Sequence, residues 1–334
     1  MATLADVASK AGVSKATASR VLSGRTTIPV APATAERIHA AAAEVGYRPN
    51  PVASALVTGR SRVVALLVPY LDRPYYSAAI GRMEALTQQS GYDLIVMGGT
   101  RHGTQHIADC RWPVDGLLVL DSYEVLLRLV QRTDDRMRPV VALGGCLPEG
   151  VDAVRLEMGV AAEQAIRHLI GQGCRKLAYA TSPATPIATS ERWRAFLRVT
   201  DEAGIEPVSI PIPGESRPSA RDAVTAYCID HPDLDGLFCH NDDIACGAIR
   251  ALLDLGRRVP DDVAVVGCDG TVAAEFAEPP ISTIALPIAD MCAEAWTMLL
   301  RRMENPDLPI CSSTFSGRFI QRRSSCRDRA HIGL

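Results

Sequence analysis

Short apolar runs alternate with helix-length segments along most of the chain, and this alternation is the strongest constraint on its fold. From residue 63 onward, runs such as 63–68 and 116–120 have the length and composition of buried strands, and a helical pattern over 76–90 follows the first of them. Further strands are predicted at 92–97, 139–143, 176–181, 236–239 and 263–267. The alternation predicts parallel sheets with helices on both faces, in which ligands bind beyond the carboxyl ends of the strands.

The length of 334 residues exceeds what one hydrophobic core supports, so two or three domains are expected. The longest apolar runs fall far short of the roughly 20 residues that a bilayer requires, so no membrane segment is predicted. The N-terminus lacks a basic region followed by an apolar stretch, and we therefore expect a protein without a secretory signal that stays in the cytoplasm. The ten cysteines include no Cys-x-x-Cys pair and are expected to be reduced thiols.

Charge is distributed unevenly between the two ends of the chain. Residues 1–62 contain eight basic and three acidic side chains, a balance of +5, whereas the remainder carries −8. A basic head on an acidic body indicates that the head binds a polyanion and the body does not.

The first 22 residues carry the pattern of two short helices joined by a tight turn. Thr3 and Asp6 form a capping-box pattern, after which apolar residues recur at helical spacing. Gly12 is suited to end this helix, and Ser14 is suited to cap the next one. The pattern predicts a helix-turn-helix, with a third helix following between Pro32 and Gly46.

In a helix-turn-helix the second helix lies in the major groove, with its first residues at the base edges. We expect Arg20 to bind guanine through two hydrogen bonds, Lys15 through one, and Ala16 to offer a methyl group to thymine. The short hydroxyls of Ser14, Thr17 and Ser19 suit phosphate contacts, and Thr3 completes the DNA-binding set of the head. The alternative is that these residues form a solvated polar helix face.

Residues 48–60 have the composition of a hinge. Asn50 can cap a helix and Pro51 suits its first position, so 51–57 can form about two turns. A helix this short is marginal alone, so we expect the segment to be disordered without DNA and to fold on DNA. The alternative is a plain linker.

Four runs of the head stand out together: Leu4-Ala5-Asp6-Val7-Ala8, Ala11-Gly12-Val13-Ser14, Thr17-Ala18-Ser19-Arg20-Val21-Leu22 and Gly46-Tyr47-Arg48-Pro49-Asn50. With these runs the head closely resembles that of the LacI/GalR family of bacterial repressors. Ala18 replaces the usual valine, and the loop 24–29 is about two residues longer than is common in the family. The resemblance implies that the hinge pairs with its dimer mate in the minor groove, where Leu56 wedges a central base step and Ala53 lies close to the groove.

The body, over residues 63–323, resembles the two-lobed periplasmic sugar-binding fold that this family carries. This resemblance rests on three runs of sequence, 240–248, 257–270 and 279–284. The resemblance implies that Arg192, Asn241 and Asp269 hydrogen-bond a small-molecule effector and that Tyr75 and Tyr76 line its pocket. Other interpretations remain open: Asn241 as a helix cap, Asp269 in an Asx-turn and Arg192 in a surface ion pair.

Three features bear on ligand and assembly. Gly144 stands where the family often has an aspartate that reaches the ligand, and the connection 100–113 is about ten residues shorter than usual. The segment 318–334 lacks a leucine heptad, so a coiled-coil tetramer is not supported. We expect a homodimer, because twofold heads require a palindromic operator.

These observations predict an α/β protein with a three-helix helix-turn-helix head (1–47), a hinge (48–60) and a two-lobed periplasmic-binding-protein-like body with parallel sheets (61–334). Lobe one is predicted at 61–156 with 285–316, and lobe two at 157–284 with 317–330. The predicted function is that of a sequence-specific repressor whose operator affinity is switched by a sugar, sugar derivative or nucleoside, without a cofactor or metal. The alternative is a solute-binding protein without a regulatory role, and an enzyme is disfavoured because no phosphate-binding loop, nucleophile elbow or metal spacing is present.

Overall fold

The computed structural model describes residues 2–22, 30–47, 59–98, 113–131, 138–181 and 190–327. Two units are distinguished, Met1–Val63 with Pro113–Asp115, and Val64–Trp112 with Gly116–Leu334. The predicted hinge residues Asn50, Ala53 and Leu56 lie outside the described residues, as do the loop 24–29 and most of the connection 100–113.

The head consists of three helices, α1 (Leu4–Lys10), α2 (Lys15–Leu22) and α3 (Pro32–Val45). The predicted capping box is confirmed: the Asp6 carboxylate accepts the Thr3 N–H at 2.8 Å, and Thr3 Oγ1 accepts the Asp6 N–H at 3.4 Å. Gly12 adopts φ +62°, a backbone conformation that glycine enters without steric cost, and it turns the chain between α1 and α2.

One small core holds the three helices together. Val7, Ala18 and Ile38 are fully buried in it, one from each helix. The smallness of Ala18 suits this crowded centre, where the backbones of α1 and α3 pack close by. Arg37 of α3 also donates a hydrogen bond to the Ala11 carbonyl at 3.0 Å, which satisfies a carbonyl at the end of α1.

The second unit contains two six-stranded sheets. The first has the order β11-β5-β4-β3-β1-β2, and the second has the order β12-β10-β9-β8-β6-β7. The strands are β1 (Val63–Leu67), β2 (Asp93–Met97), β3 (Gly116–Leu120), β4 (Val140–Gly144), β5 (Asp152–Glu157), β6 (Leu177–Thr181), β7 (Val208–Pro211), β8 (Gly236–Cys239), β9 (Ala264–Asp269), β10 (Ser282–Ala285), β11 (Ser312–Ser316) and β12 (Arg318–Ile320). We call each sheet with the helices packed on it a lobe.

The helices of the second unit, in chain order, are α4 (Pro74–Gln89), α5 (Tyr123–Val130), α6 (Gly159–Gly171), α7 (Glu191–Glu202), α8 (Arg217–Asp230), α9 (Asp242–Asp254), α10 (Val272–Glu275) and α11 (Ile288–Glu304). Side chains of α4 and α11 pack against the first sheet. In the second sheet, Ala178 and Ala180 of β6 face α8 and α9, whereas Leu177 and Tyr179 face α6 and α7. Helices therefore cover both faces of this sheet, as the near-continuous apolar runs predicted.

The predicted parallel sheets are confirmed, and strand β12 adds an antiparallel partner to β10 at one edge. The sequence analysis predicted β1, β2, β3, β4, β6, β8 and β9. Strands β5, β7, β10, β11 and β12 were not predicted, because each carries polar residues that break the apolar pattern. No helix lies between β4 and β5, and α4 begins at Pro74 rather than at residue 76.

The chain passes between the two sheets three times, after β5, after β10 and after β11. Two of these passages are bonded to each other, because the Gly317 N–H donates a hydrogen bond to the Glu157 carbonyl at 2.9 Å. These three connecting segments are suited to act as a hinge between the two lobes. Within the described ranges, no helix combines the length and apolarity needed to cross a bilayer.

Candidate functional site

The start of α2 presents the side chains that the sequence assigned to DNA. Lys15, Ala16 and Ser19 are exposed, and Arg20 is partly buried. The predicted cap of α2 is confirmed, since Ser14 Oγ accepts the Thr17 N–H at 3.1 Å. An exposed helix start with capped amides and basic side chains is suited to a phosphate-lined groove.

Three of the hydroxyls assigned to phosphate contact already have partners within the head. The Ser14 and Thr17 hydroxyls are hydrogen-bonded to each other at 2.9 Å, and Thr3 Oγ1 donates to Asp6 at 2.9 Å. A hydroxyl retains a second hydrogen-bonding position when one is used. Ser14 and Thr3 remain exposed, so their roles in DNA contact stay a prediction.

The predicted effector residues lie at the carboxyl ends of strands in both lobes. Tyr75 and Tyr76 occupy the first turn of α4, which follows β1. In the other lobe Arg192 lies in the first turn of α7, Asn241 caps α9 after β8, and Asp269 ends β9. We call the space between these residues the interlobe cleft. Binding sites in open α/β sheets are found at such strand ends.

The two tyrosines pack edge to face, with ring centroids 5.0 Å apart and an interplanar angle of 72°. Tyr75 is only 8% exposed, and its buried hydroxyl lies beside the Asp121 carboxylate, whose pKa it lowers as a hydrogen-bond donor. Burial, together with the nearby carboxylate of Asp121, raises the pKa of both phenols well above its usual value. Both tyrosines therefore stay neutral, and the Tyr75 hydroxyl acts as a donor at this end of the cleft.

Arg192 is held in place by His240, a residue that the sequence analysis did not single out. The guanidinium donates to the His240 carbonyl at 2.6 Å and to Nε2 of the His240 ring at 3.0 Å. Because arginine only donates, Nε2 must be the unprotonated nitrogen, and Nδ1 then donates to the Tyr179 hydroxyl at 2.8 Å. His240 is thus neutral with a fixed tautomer, and Arg192 Nε remains buried without a partner among the described residues.

Asn241 makes the cap that the sequence analysis raised as an alternative. Its Oδ1 accepts the Ile244 N–H at 2.8 Å at the start of α9. The described residues provide no partner for its Nδ2 atom, so the side chain keeps donors but has used its acceptor. Its assignment to the effector stays a prediction, restricted to donation.

Asp242, next along the chain, ties the second lobe together rather than facing a ligand. Its carboxylate accepts hydrogen bonds from the Thr271 N–H at 2.7 Å and from the hydroxyls of Thr271 and Thr283 at 2.9 and 2.7 Å. Burial nevertheless raises the pKa of Asp242 to about 6. These bonds link α9, α10 and β10 behind the cleft.

Asp269 has an unusual backbone and an unsatisfied side chain. Its φ of +120° is one that side-chain-bearing residues rarely adopt, and strain of this kind is concentrated at functional sites. No described residue donates a hydrogen bond to its carboxylate, and burial and the neighbouring Asp242 raise its pKa well above the usual value. Arg192 opposes that rise, so the carboxylate and the guanidinium lie within electrostatic reach of each other.

Asp121 is the cleft residue that the sequence analysis missed. It follows β3 with φ +48°. The charge of Arg192 lowers the pKa of Asp121, and the charge of Asp121 raises the pKa of Asp269. Burial raises the pKa of its carboxyl group to about 6, against the lowering effects of Arg192 and the Gly145 N–H. The signal that could have found it is a lone acidic residue directly after an all-apolar strand, 116–120.

A pair of charged side chains joins the lobes beside the cleft. Arg73, at the start of α4, forms an ion pair with Glu215 of the second lobe and donates to the Gly214 carbonyl at 2.9 Å. The guanidinium also lies 3.4 Å above the ring of Tyr70. We call this group the interlobe latch, because it bonds one lobe directly to the other.

Among the described residues, no group of three His, Cys, Asp or Glu side chains is placed to hold a metal ion. What the cleft offers instead is a set of hydrogen-bonding groups of both kinds: the acceptors of Asp121 and Asp269 and the donors of Arg192, Asn241 and Tyr75.

Comparison with known proteins places both parts of the chain. Residues 3–50 match the family of bacterial regulatory proteins, lacI family, and residues 166–325 match the periplasmic binding protein-like domain. The HTH-type transcriptional regulator CelR of Thermobifida fusca is 32% identical over 317 residues, covering 90% of this chain and 92% of CelR. The ribose operon repressor of Halalkalibacterium halodurans is 28% identical over 314 residues, covering 92% of both chains.

A solved structure of a transcriptional regulator is also similar to this chain over nearly its whole length. The transcriptional regulator CelR–cellobiose complex superposes with a TM-score of 0.68 at 28% identity, covering 97% of this chain and 100% of that chain. The family resemblance inferred from the head, and the fold class of a helix-turn-helix head with a two-lobed body, are confirmed. The chain belongs to the lacI family of bacterial regulatory proteins.

Proposed function

We propose that this protein is a DNA-binding transcriptional repressor whose affinity for its operator is switched by a small molecule bound in the interlobe cleft. The observation that carries the proposal is the presence, in one chain, of an exposed helix-turn-helix start and a cleft in which Arg192 Nε is buried without a partner among the described residues. A free-standing solute-binding protein would have no use for the first feature, and the relatives are regulators rather than enzymes.

The effector is proposed to be a sugar, a sugar derivative or a nucleoside. CelR is described in complex with cellobiose, and another relative is a ribose operon repressor. The proposed contacts are Arg192, Asn241, Asp269, Tyr75 and Tyr76, which lie in the first turns of α4 and α7, at the cap of α9 and at the end of β9. Binding energy that favours one arrangement of the lobes is what such a switch requires.

The DNA-binding assignment is proposed for the head and the hinge. Lys15, Ala16 and Arg20 read bases, while Thr3, Ser14, Thr17 and Ser19 contact phosphates. In the hinge, Asn50 and Ala53 lie at the minor groove, and Leu56 wedges a base step. Two copies of the chain bind one palindromic operator as a homodimer in the cytoplasm, where the chromosome is found.

The division of the chain is proposed to follow these roles. Residues 1–47 form the head, 48–60 the hinge and 61–334 the effector-binding and dimerisation body. The chain is proposed to pass from one lobe to the other near residues 156 and 285. The membership of β5 in the first sheet and of β12 in the second supports this division.

The test measures DNA binding with a duplex selected from a random pool by the full-length protein. Fluorescence anisotropy at several salt concentrations should give a steep fall in affinity with salt, because released counterions drive phosphate binding. Arg20→Ala should weaken the selected duplex by roughly tenfold or more, while leaving the affinity for unrelated duplex less affected. Lys176→Ala, a basic residue of the body, is the matched control.

Two results would contradict DNA binding through the head. One is a salt-independent affinity, which would exclude phosphate contacts as its source. The other is an equal loss for Arg20→Ala and Lys176→Ala, which would place the DNA on the body.

A further inference from the structure

Asp121 takes the place of a side chain that the neighbouring strand does not have. Its Oδ1 atom lies 2.0 Å from the position that a Cβ atom on Gly144 would occupy. Strands β3 and β4 are adjacent and parallel, so Asp121, directly after β3, and Gly144, the last residue of β4, lie side by side. The absence of a side chain at position 144 is what admits the carboxylate of Asp121 to this wall of the cleft.

We propose that Asp121 is a specificity-determining residue of the effector site, and that with Asp269 on the opposite wall it selects a neutral polyhydroxylated effector and rejects anionic ones. This inference rests on the proposed function, because it assigns the chemistry of the same cleft. The two carboxylates come from different lobes, so a single ligand that donates to both connects the lobes.

An independent observation points to a ligand at this position. On the wall formed by the second lobe, Arg192 Nε is buried and has no hydrogen-bond partner among the described residues. On the other wall, the buried Tyr75 hydroxyl lies beside the Asp121 carboxylate and lowers its pKa as a hydrogen-bond donor. Buried polar groups are nearly always satisfied in folded proteins, so the open Arg192 Nε indicates that a ligand in the cleft supplies its partner.

The donors and acceptors together fit hydroxyl groups. A carboxylate only accepts hydrogen bonds and a guanidinium only donates them, whereas each hydroxyl of a polyol does both. A neutral polyol can therefore satisfy Asp121, Asp269 and Arg192 at once. An ammonium ligand would donate to the carboxylates but would leave the arginine unsatisfied and be repelled by it.

The charge balance excludes anionic effectors. Two carboxylates face a single guanidinium, and Arg192 is already bonded to the carbonyl and ring of His240. The other nearby cation, Arg73, is paired with Glu215 in the interlobe latch. A phosphate or carboxylate group on the ligand would add a further negative charge beside Asp121 and Asp269, two acidic groups whose raised pKa values already reflect the cost of ionisation in this shielded site.

The experiment compares neutral saccharides with their charged counterparts by calorimetric titration of the full-length protein. The probes are cellobiose, ribose and glucose, with ribose 5-phosphate, glucose 6-phosphate and gluconate as the anionic partners. The expected result is that at least one neutral saccharide binds and weakens or strengthens binding to the selected duplex. Its anionic partner should bind at least tenfold more weakly.

Variants of Asp121 test the residue itself. Asp121→Asn keeps the shape of the side chain but replaces an acceptor with a donor, and it should weaken binding of the neutral saccharide at least tenfold. Asp121→Ser serves as a second variant should the first fail to fold. Asp93→Asn, an exposed carboxylate of the same lobe, is the matched control and should bind as the wild type does.

The possible failures are distinguishable. If no probe, neutral or anionic, binds or alters DNA affinity, the proposed saccharide-switched function is overturned. If an anionic probe binds as tightly as its neutral partner, or if Asp121→Asn binds the saccharide as tightly as the wild type, only the assignment of Asp121 fails.

Discussion

Arg73 and Glu215 form an ion pair that directly bonds the first lobe to the second, and both side chains are largely shielded from water, with 15% and 6% exposed. Arg302 and Asp152 form a second shielded pair, within the first lobe, whereas several other ion pairs of the body lie on its surface. Arg167 and Glu202, for example, are 53% and 47% exposed. Because of this difference in burial, we expect loss of a partner to lower the free energy of unfolding more in the Arg73–Glu215 pair than in the Arg167–Glu202 pair.

Glu215→Gln should weaken the contact between the lobes. Removing one partner leaves the shielded charge of Arg73 uncompensated, and we expect a loss of about 1–3 kcal/mol in the free energy of unfolding. Glu202→Gln removes the partner of an exposed pair and should cost no more than about 0.5 kcal/mol. Urea denaturation of both variants gives the comparison, and equal losses would show that the interlobe latch does not hold the lobes.

Asp121→Asn should make the effector-free protein more stable at neutral pH. The carboxyl pKa in the folded state is raised to about 6, above the ordinary value near 3.8, so the folded state holds the proton more tightly. Stability from this group is therefore present below about pH 4 and declines as the pH rises through about 6. At pH 7.5 the amide should be more stable by about 1–2 kcal/mol, after allowance for partial solvent access.

The measurement is denaturant unfolding of wild type and variant at pH 5 and pH 7.5. The difference in the free energy of unfolding between wild type and variant should be larger at pH 7.5 than at pH 5. Asp242, whose pKa is also raised to about 6, remains in both proteins and contributes equally to each. A variant that is less stable than wild type at pH 7.5 would refute a burial cost at Asp121.

Gly144→Ala should lower the stability of the folded protein and should also weaken its binding of the effector. The new Cβ atom would collide with Asp121, and φ at this position is +131°, where a side chain is strained whatever the space. We expect a loss of about 2 kcal/mol or more. Thermal unfolding with and without a bound saccharide separates the two effects.

Gly81→Ala is the matched control for that substitution. Gly81 lies within α4, and nothing stands within 4 Å of its missing Cβ atom. Alanine there should raise stability by up to about 1 kcal/mol, since glycine is a poor helix former. Destabilisation of both variants alike would mean that the contact with Asp121 is not the cause at position 144.

Asp269→Ala should abolish the effector response while leaving DNA affinity within about twofold of wild type. The carboxylate receives no hydrogen bond from the described residues, so its loss leaves no partner unsatisfied in the body. Its removal takes away an acceptor that the effector needs, at a cost of about 1.5–3 kcal/mol for a charged hydrogen bond. A gel shift with and without saccharide reports both properties, and Asp222→Ala, an exposed carboxylate on α8, is the control. A response that survives in Asp269→Ala would remove this residue from the site.

Local patterns in the sequence were sufficient for the head. The capping box of Thr3 and Asp6, the turn at Gly12 and the cap at Ser14 involve residues no more than three positions apart, so their chemistry can be read directly from the chain. The buried strands β3 and β8 were also predicted at their observed bounds, because an all-apolar run enclosed on both faces carries a strong signal.

The cleft could be only partly predicted. The resemblance to the family supplied Tyr75, Tyr76, Arg192, Asn241 and Asp269, and the structure places all five at strand ends in two lobes. It also shows what no local pattern encodes: Asn241 has used its oxygen as a cap, and His240 orients Arg192 across 48 positions of sequence.

The sequence by itself determined the class of the protein, through the helix-turn-helix pattern, the alternation of apolar runs and the polar residues that follow them. Only the tertiary structure decided where the acceptor of the first lobe comes from. Gly144 read alone implied a missing contact, but parallel pairing of β3 and β4 brings Asp121 into the space left by that glycine. The physical reason is that a binding site is built from volumes shared between strands, and whether a volume is empty depends on neighbours that are distant in sequence.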